Sequence, residues 1–430
     1  MTGVSVHPIP TPEQLAWQGL GVGMFVHFGL NTFHGVEWSD GTLPASSFDP
    51  SELDADEWVE VAGALGARYL VLTAKHHDGF CLWPTSTTDY SVASSPWRQG
   101  RGDVVGDVAQ ACARAGIGLG IYLSPWDRNH RAYQHPDRYA EVYRRQVNEL
   151  CTGYGPIVEF WFDGAGSEGY RYRWDEVMAE IHGHQPGAMV FNMGNPTIRW
   201  VGNENGLAAD PVEYVVDHGQ MSNYTVETID YADALYLPPE CDVSLRRGWF
   251  WAPADEPKTL EHLMAVYYGS VGLGAGLLLN VPPDDRGRID PADAARAREF
   301  GAEVERRFGR PTALSLTAVG EGRWRARTAD GEPISFDHVE LVEDLTGGQL
   351  ITGHRIVLAG RVVAQGLTVG AKRLQMLGEQ VSSAEFEIEL SGRRIGDSGP
   401  ALASVTVHRT GVLAPPAVPD GYLAPTEYPE

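Results

Sequence analysis

Asp163 is the residue of this chain best placed to do chemistry. It follows the run 157–162, Ile-Val-Glu-Phe-Trp-Phe, whose length and β-branched and aromatic content predict a buried parallel strand. In barrels built from alternating strands and helices, side chains at the carboxyl end of a strand face the active site. A carboxylate held there can act as a nucleophile. The alternative is that Asp163 caps the next element or shapes the turn at Gly164.

Motifs for other chemistries are missing from the sequence. There is no G-x-S-x-G elbow and no P-loop, and the glycine-rich strings lack a complete G-x-G-x-x-G. The candidate metal ligands match no known spacing, and no H-E-x-x-H or Cys/His cluster occurs. These candidates are His76, His77, Asp127, His130 and His135. Metal catalysis and nucleotide binding are therefore disfavoured, and we expect carboxylate chemistry.

Glycoside hydrolysis is a carboxylate chemistry that needs two carboxyl groups. In retaining enzymes they lie about 5–5.5 Å apart, one attacking the sugar and the other donating a proton. The residues alone leave the second group open among Glu204, Glu213, Glu227 and Glu240. Glu204 lies in the segment 199–206, and burial among its tryptophan and apolar neighbours would raise its pKa, as a general acid requires. A solvated loop position is the alternative for Glu204.

Polar and aromatic residues follow the predicted strands, at the ends that would meet at one mouth of a barrel. They suit a polyhydroxylated ligand, because hydroxyl groups need many directed hydrogen bonds. His76 and His77 can both face that mouth only if the strand ends before them, since neighbouring strand residues point to opposite sides. A structural histidine is the alternative for each. The rim residues are His27, Glu37, Trp38, Lys75, His76, His77, Asp78, Ser124, Trp126, Asp127, Trp161, Asp163, Asn192 and Asn280.

Strand and helix patterns alternate through the first three hundred residues. This rhythm predicts a parallel sheet of six or seven strands, closed or nearly closed into a barrel. The stretch 195–257, rich in Gly, Pro and Asn, breaks the pattern and is predicted to be an elaborated active-site loop region with short elements. The predicted strands are 24–27, 68–73, 117–123, 157–162, 188–191 and 275–281. The predicted helices are 55–65, with Asp54 and Gly66 as caps, 103–115, 136–150, 174–182, 259–271 and 290–308.

The character of the sequence changes after Gly309. Short runs with period-two alternation, such as 385–390, are separated by turns that contain glycine. We therefore predict two domains. Residues 1–309 form an α/β domain with a (β/α)8-like barrel, and residues 310–430 form an antiparallel β-sandwich that ends in a proline-rich tail.

Composition excludes several classes of partner. The formal charge of −24 argues against binding to nucleic acids or to anionic membrane surfaces. The four cysteines form no C-x-x-C pair and predict free thiols in a reducing compartment. No signal peptide and no apolar run long enough to span a membrane is visible. We therefore expect a cytoplasmic protein, with secretion open if a leader has been removed.

Three motifs resemble a known enzyme family, the α-L-fucosidases of glycoside hydrolase family 29. They are Phe-Val-His-Phe-Gly at 25–29, Thr-Ala-Lys-His-His-Asp-Gly-Phe-Cys-Leu-Trp at 73–83 and Trp-Phe-Asp-Gly at 161–164. The resemblance implies a retaining exo-α-L-fucosidase with a (β/α)8-like barrel, a β-sandwich and no cofactor. By motif, Asp163 would be the nucleophile that forms a fucosyl-enzyme ester, and Glu204 the acid/base.

The same resemblance implies residues that bind fucose. Trp126 from the rim, and Arg199 beside Glu204, complete the predicted binding set. That set is His27, Glu37, Trp38, His76, His77, Trp126, Trp161 and Arg199.

Further segments resemble the branch of the family that prefers α-1,3/1,4-linked fucose on branched oligosaccharides. They are 122–130, 199–206 and 240–250. The stretch between Asp163 and Arg199 is shorter than is usual in this branch, which would open the pocket toward the rest of the glycan and blur the linkage preference. The alternatives are a broad-specificity α-L-fucosidase acting on α-1,2 links and aryl fucosides, a glycosidase for a related sugar, and an inactive fucose-binding protein.

Overall fold

The structure, a computed structural model, describes residues 7–220, 228–396, 398–422 and 424. Within these ranges a barrel of parallel strands surrounded by helices is followed by two antiparallel sheets. The helices are α1 Pro12–Gln18, α2 Leu30–His34, α3 Ala55–Leu65, α4 Val104–Ala115, α5 Pro136–Gly153, α6 Trp174–His184, α7 Leu260–Gly269 and α8 Pro291–Phe308. The first ten strands are β1 Val22–Val26, β2 Tyr69–Lys75, β3 Gly118–Leu123, β4 Ile157–Trp161, β5 Met189–Phe191, β6 Arg199–Trp200, β7 Val215–Gln220, β8 Thr228–Tyr236, β9 Pro239–Ser244 and β10 Gly276–Asn280.

Eight of these strands form one parallel sheet that closes almost completely into a barrel. Their order is β5–β4–β3–β2–β1–β10–β9–β6, and a parallel bridge between Phe191 and Ile198 links the two edges. The predicted barrel is confirmed, with eight strands instead of six or seven. The stretch 195–257, predicted to be a loop region with short elements, holds the barrel strands β6 and β9 as well as the antiparallel pair β7–β8. Strand β6 has only two residues, and β9 points acidic side chains into the barrel, so neither shows the apolar pattern of a buried strand.

The helices pack around the outside of the barrel, as the alternation predicts. Helix α3 shows why the local sequence folds this way. The Asp54 side chain accepts hydrogen bonds from the backbone N–H groups of Asp56 and Glu57, and Gly66 ends the helix with a φ of 92°. The buried face of α3, which includes Trp58, joins the main apolar core. No helix in the described ranges is both long and apolar enough to cross a membrane.

The second region consists of two antiparallel sheets that enclose an apolar core of their own, which confirms the predicted sandwich. Helix α8 ends at Phe308 and the next strand begins at Thr312, beside the predicted domain boundary. Residue 423 and residues 425–430 of the predicted tail lie outside the described residues. The sheet orders are β11–β19–β14–β17 and β12–β13–β18–β15–β16. The strands are β11 Thr312–Ala313, β12 Ser315–Gly320, β13 Arg323–Arg327, β14 Ile334–Glu343, β15 Ile351–Leu358, β16 Arg361–Gly366, β17 Arg373–Ser383, β18 Glu385–Gly392 and β19 Leu402–His408.

Candidate active site

A pocket of about 590 Å³, counted with its open mouth, lies at the carboxyl ends of the barrel strands. The walls are largely aromatic, and carboxyl groups and histidines supply most of the polar surface. The described lining residues are Phe25, His27, Trp38, His76, His77, Tyr122, Trp161, Asp163, Gly164, Ala165, Phe191, Asn192, Trp200, Glu204, Asp242 and Trp249.

Asp163 follows β4 and reaches the pocket from its rim. Its Oδ1 accepts a hydrogen bond from the Ala165 N–H at 2.8 Å, so the side chain also shapes the turn. Its Oδ2 accepts a hydrogen bond from the Tyr122 hydroxyl at 3.0 Å and lies 3.5 Å from His77 Nε2. Burial opposes the charged form, but His77 and the hydrogen bonds outweigh it, so the pKa of Asp163 lies below its usual value. The group is therefore ionised at neutral pH, as a nucleophile must be.

The histidine pair lines the pocket together, because β2 ends at Lys75 and strand alternation no longer applies. Ser124 Oγ donates to the Trp126 carbonyl, so His77 Nδ1 must donate to Ser124, at 2.7 Å. This bond fixes the orientation of the His77 ring and turns its Nε2 toward the carboxylate that follows β4. Both histidines thus face the pocket, and their predicted contact with a sugar stays a prediction.

His27 follows β1 and is held by Asn280 at the end of β10. Asn280 Oδ1 lies 3.0 Å from His27 Nδ1, and Asn280 Nδ2 donates to Ser244 Oγ at 2.9 Å. Burial lowers the pKa of His27 to about 3 and lowers the pKa of His76 far below its usual value. Both rings are therefore neutral at physiological pH and can exchange hydrogen bonds with hydroxyl groups.

Glu204 reaches the same pocket from the segment after β6. Its Oε2 accepts a hydrogen bond from the Trp249 indole N–H at 3.2 Å. Burial, and then the charge of Asp163, raise the pKa of Glu204 to about 8. Glu204 is therefore protonated at neutral pH while Asp163 is ionised. One pocket thus holds a carboxylate and a carboxylic acid, whose environments assign them to different chemical tasks.

Glu37 holds the loop that carries Trp249. The backbone N–H of Trp249 donates to Glu37 Oε2 at 2.9 Å, and that of Phe250 donates to Oε1 at 3.3 Å. Among the described residues Glu37 is not part of the pocket lining. Its predicted contact with a sugar stays a prediction, and in this structure it positions the tryptophan that binds Glu204.

Two other predicted binding residues, Trp126 and Arg199, are also outside the described lining. Trp126 packs on His77 and Trp38, with ring centroids 5.2 and 5.6 Å apart. Arg199 neighbours Trp200 on β6, and neighbouring strand residues point to opposite sides. Trp200 lines the pocket, whereas the Arg199 guanidinium donates to backbone carbonyls, that of Trp200 at 3.2 Å among them. Direct contact of Trp126 or Arg199 with a sugar stays a prediction.

Glu240, an alternative for the second carboxyl group, lies below the pocket in the barrel interior. It is fully buried and accepts hydrogen bonds from the Tyr69 hydroxyl at 2.5 Å and the Trp161 indole N–H at 3.1 Å. Its placement makes it a support for Trp161 and excludes it as a proton donor in the pocket. Glu213 is exposed and outside the described lining. Glu227, the remaining alternative, lies outside the described residues.

Several lining side chains are not among the predicted binding residues. Tyr122 lies on β3 two positions before the rim residue Ser124, so the period of two along a strand is a signal that could have found it. Trp200 and Asp242 lie on β6 and β9, which sequence patterns do not reveal as strands. Trp249 lies in the loop after β9. One part of the pocket wall therefore comes from residues 195–257, where sequence patterns do not reveal the strands.

A buried lysine supports the strand end that carries the histidine pair. Lys75 is fully buried, and its amino group donates to a carboxylate, a hydroxyl and an amide oxygen. These partners are Asp127 Oδ2 at 3.2 Å, Tyr139 Oη at 2.9 Å and Gln146 Oε1 at 3.0 Å. Asp127 also accepts a hydrogen bond from the His130 N–H at 2.8 Å. Two of the predicted rim residues, Lys75 and Asp127, thus form a polar cluster behind the pocket.

Fold and pocket together define a class of protein. An ionised carboxylate and a protonated carboxyl group in an aromatic pocket, at the carboxyl ends of barrel strands, are the arrangement of a (β/α)8 glycoside hydrolase. Within the described ranges, no group of three or more His, Cys, Asp or Glu side chains could hold a metal ion.

Comparison with known proteins narrows this class to one family. The sequence profile of the α-L-fucosidase family matches residues 36–307, and the chain belongs to that family, glycoside hydrolase family 29. It is 44% identical over 302 residues to α-L-fucosidase 1 of Arabidopsis thaliana, a match that covers 68% of this chain and 60% of the plant protein.

Solved structures agree with this assignment. A glycoside hydrolase 29 family member from an unknown rumen bacterium is 32% identical, with a TM-score of 0.84, over 95% of this chain and 79% of the other. A Ruminococcus gnavus family 29 fucosidase in complex with fucose is 27% identical, with a TM-score of 0.81, over 94% of this chain and 95% of the other.

Proposed function

We propose that this chain is a retaining exo-α-L-fucosidase that releases terminal α-1,3/1,4-linked L-fucose from branched oligosaccharides or glycoconjugate glycans. The observation that carries the proposal is the pairing, in one pocket, of an ionised Asp163 with a protonated Glu204. Retaining glycosidases need such a pair. The family assignment, and a relative solved with fucose, support fucose as the sugar.

The reaction then has two steps. A carboxylate oxygen of Asp163 attacks the anomeric carbon of fucose, and the bond from that carbon to the glycosidic oxygen breaks. Glu204 passes its proton to the departing oxygen, which leaves a neutral alcohol and a fucosyl ester on Asp163. In the second step Glu204 takes a proton from water, whose oxygen attacks the same carbon and breaks the ester. Fucose leaves with its original anomeric configuration, and both carboxyl groups return to their starting states.

The lining of the pocket suits fucose in two further ways. Trp161 stacks on Phe191 with ring centroids 4.0 Å apart, which gives an apolar platform for the less polar face of the sugar. The neutral rings of His27 and His76 can hydrogen-bond hydroxyl groups without attracting ions.

The experiment that tests this function compares Lewis-type trisaccharides, 2′-fucosyllactose and an aryl α-L-fucoside as substrates. We expect the trisaccharides to have the highest kcat/KM and α-L-fucose to be the first product seen by NMR. A preference for 2′-fucosyllactose would instead indicate broad specificity, and first release of β-L-fucose would contradict retention. Binding of L-fucose without turnover of any substrate would indicate a fucose-binding protein.

The effect of replacing the proposed general acid on kcat/KM should depend on the leaving group of the substrate. In Glu204→Gln we expect kcat/KM on a Lewis-type trisaccharide to fall by about 10²–10⁴-fold, because no proton reaches the departing oxygen. Activity on an aryl fucoside with an acidic leaving group should change far less. The exposed Glu213→Gln is a matched control and should match the unmodified protein on both substrates. Normal trisaccharide hydrolysis by Glu204→Gln would show that another group is the acid.

The pH dependence of kcat/KM should follow from the two carboxyl groups. Asp163 must be ionised, and its pKa lies below the usual value, so activity should persist as the pH falls toward about 4. Glu204 must be protonated, and its pKa of about 8 means that activity is lost as the pH rises through that value. The measurement is a pH profile on a trisaccharide. An alkaline limb near pH 5 would contradict the assignment.

A further inference from the structure

A third carboxyl group, that of Asp242, lines the pocket and takes no part in the two steps above. Asp242 lies on β9 and is only 3% exposed. Its Oδ1 accepts a hydrogen bond from the Trp200 indole N–H at 2.5 Å. Glu240, two residues earlier on the same strand, points into the barrel interior below the pocket, so Asp242 forms part of the pocket floor.

The charges around this floor decide whether Asp242 can be ionised. Of the described residues that line the pocket, none is a lysine or an arginine. His27 and His76 are neutral, and the His77 Nε2 that reaches the pocket lies 3.5 Å from Asp163 Oδ2. No lining cation therefore faces Asp242. A carboxylate that is buried without an opposing charge keeps its proton.

Asp163 and Asp242 differ in how well their negative charge would be stabilised. Asp163 receives two hydrogen bonds and faces an imidazole, whereas Asp242 has the Trp200 indole as its side-chain donor. Burial, and then the neighbouring Glu204, raise the pKa of Asp242 far above its usual range, and Glu240 below it acts in the same direction. The negative charge of the pocket thus resides on Asp163.

We propose that Asp242 is a sugar-binding residue that donates a hydrogen bond, as a neutral carboxylic acid, to an oxygen atom of the fucose in the pocket. Trp200 binds Oδ1, so the acidic proton resides on Oδ2. An ionised Asp242 could only accept hydrogen bonds, whereas the neutral acid can donate one to a hydroxyl or ring oxygen. The identity of the sugar rests on the proposed function.

The test compares Asp242→Asn with Asp242→Ala. Asparagine keeps a neutral donor and an acceptor for Trp200, so we expect its Kd for L-fucose, by calorimetry, to stay within about threefold of the unmodified protein. Alanine removes the donor and should weaken binding by about tenfold. The exposed Asp217→Ala is a control that should bind normally. Alanine that binds L-fucose as tightly as the unmodified protein would overturn the proposal.

A pH profile reports the protonation state and remains decisive even if Asp242→Ala does not fold. The groups that act on Glu204 are Asp163 and Glu37, with Asp242 beside it. If Asp242 is neutral, Asp242→Asn leaves the alkaline limb of kcat/KM in place. If Asp242 were ionised, removing its charge would lower the pKa of Glu204 and move that limb to lower pH, which would overturn the proposal.

Infrared spectroscopy gives a readout that is independent of turnover. The difference spectrum between the unmodified protein and Asp242→Asn at neutral pH should show the loss of a protonated-carboxyl C=O band, and loss of carboxylate bands instead would overturn the proposal. If the protein hydrolyses no fucoside while its binding of L-fucose still depends on Asp242, that result would contradict the proposed function but not the role of Asp242. Unchanged affinity of Asp242→Ala in an active enzyme would contradict the Asp242 role alone.

Discussion

Asp163→Ala should lower kcat/KM on every α-L-fucoside by at least about 10³-fold, because the variant has no group to attack the anomeric carbon. Binding should survive, since the aromatic walls and the histidines His27 and His76 are untouched. The measurement is a steady-state assay on an aryl fucoside beside calorimetry with L-fucose. Asp137→Ala is the matched control, because the Asp137 side chain is 87% exposed, and it should keep full activity.

Azide should distinguish a lost nucleophile from a distorted pocket. The space left in Asp163→Ala can admit azide, which would attack the anomeric carbon from the side that the carboxylate occupied. One inversion of an α-L-fucoside gives β-L-fucosyl azide, in contrast to the two inversions of the normal reaction. Hydrolysis by Asp163→Ala at a rate close to that of the unmodified protein would show that Asp163 is not the nucleophile.

Lys75→Met should have the largest effect on stability. Methionine has a similar length, but it leaves the buried carboxylate of Asp127 without its counter-ion. Removing one partner of a buried ion pair costs about 3–5 kcal/mol, and we expect the free energy of unfolding to fall by that amount. Tryptophan fluorescence during urea denaturation can measure it. Tyr139 and Gln146 would also lose their shared donor.

The control for this prediction is an ion pair of the same type on the surface. Arg114 and Asp56 lie 2.6 Å apart, and their side chains are 56% and 66% exposed. Such pairs contribute about 0–1 kcal/mol, so Arg114→Met should change the free energy of unfolding by no more than that. Equal effects of Lys75→Met and Arg114→Met would show that the buried cluster does not stabilise the barrel.

The helices and most barrel strands could be predicted because their signals are local. Asp54 and Gly66 bound α3 as caps, and the apolar run before Asp163 has the composition of a strand buried on both faces. The short strand β6 carries no such signal. Whether Asp163 caps a turn or faces a pocket could not be decided from sequence, and the structure shows that its two oxygens do both.

The composition of the site could be predicted only in part, for a related reason. Whether His76 and His77 both face the pocket depends on where β2 ends, and a sequence motif can indicate that position. Asp242 faces the pocket only because Pro239–Ser244 form the strand β9. Whether Arg199 faces the pocket depends on the side of β6 on which it lies. These are questions of strand register, and a one-residue change in register moves every side chain to the other face. Sequence patterns in a polar, irregular stretch do not contain that information.

The two proposed catalytic groups follow strands that differ in how well they are hydrogen-bonded to their neighbours in the barrel. Asp163 follows β4, which is hydrogen-bonded to a strand on each side, whereas Glu204 follows β6, two residues long and paired with β9. Insertions and substitutions are better tolerated where few backbone bonds are at stake. Evolution can therefore remodel the wall that meets the departing glycan while the attacking group stays in place. Relatives could therefore differ in the glycan that they prefer as substrate while they share the same nucleophilic step.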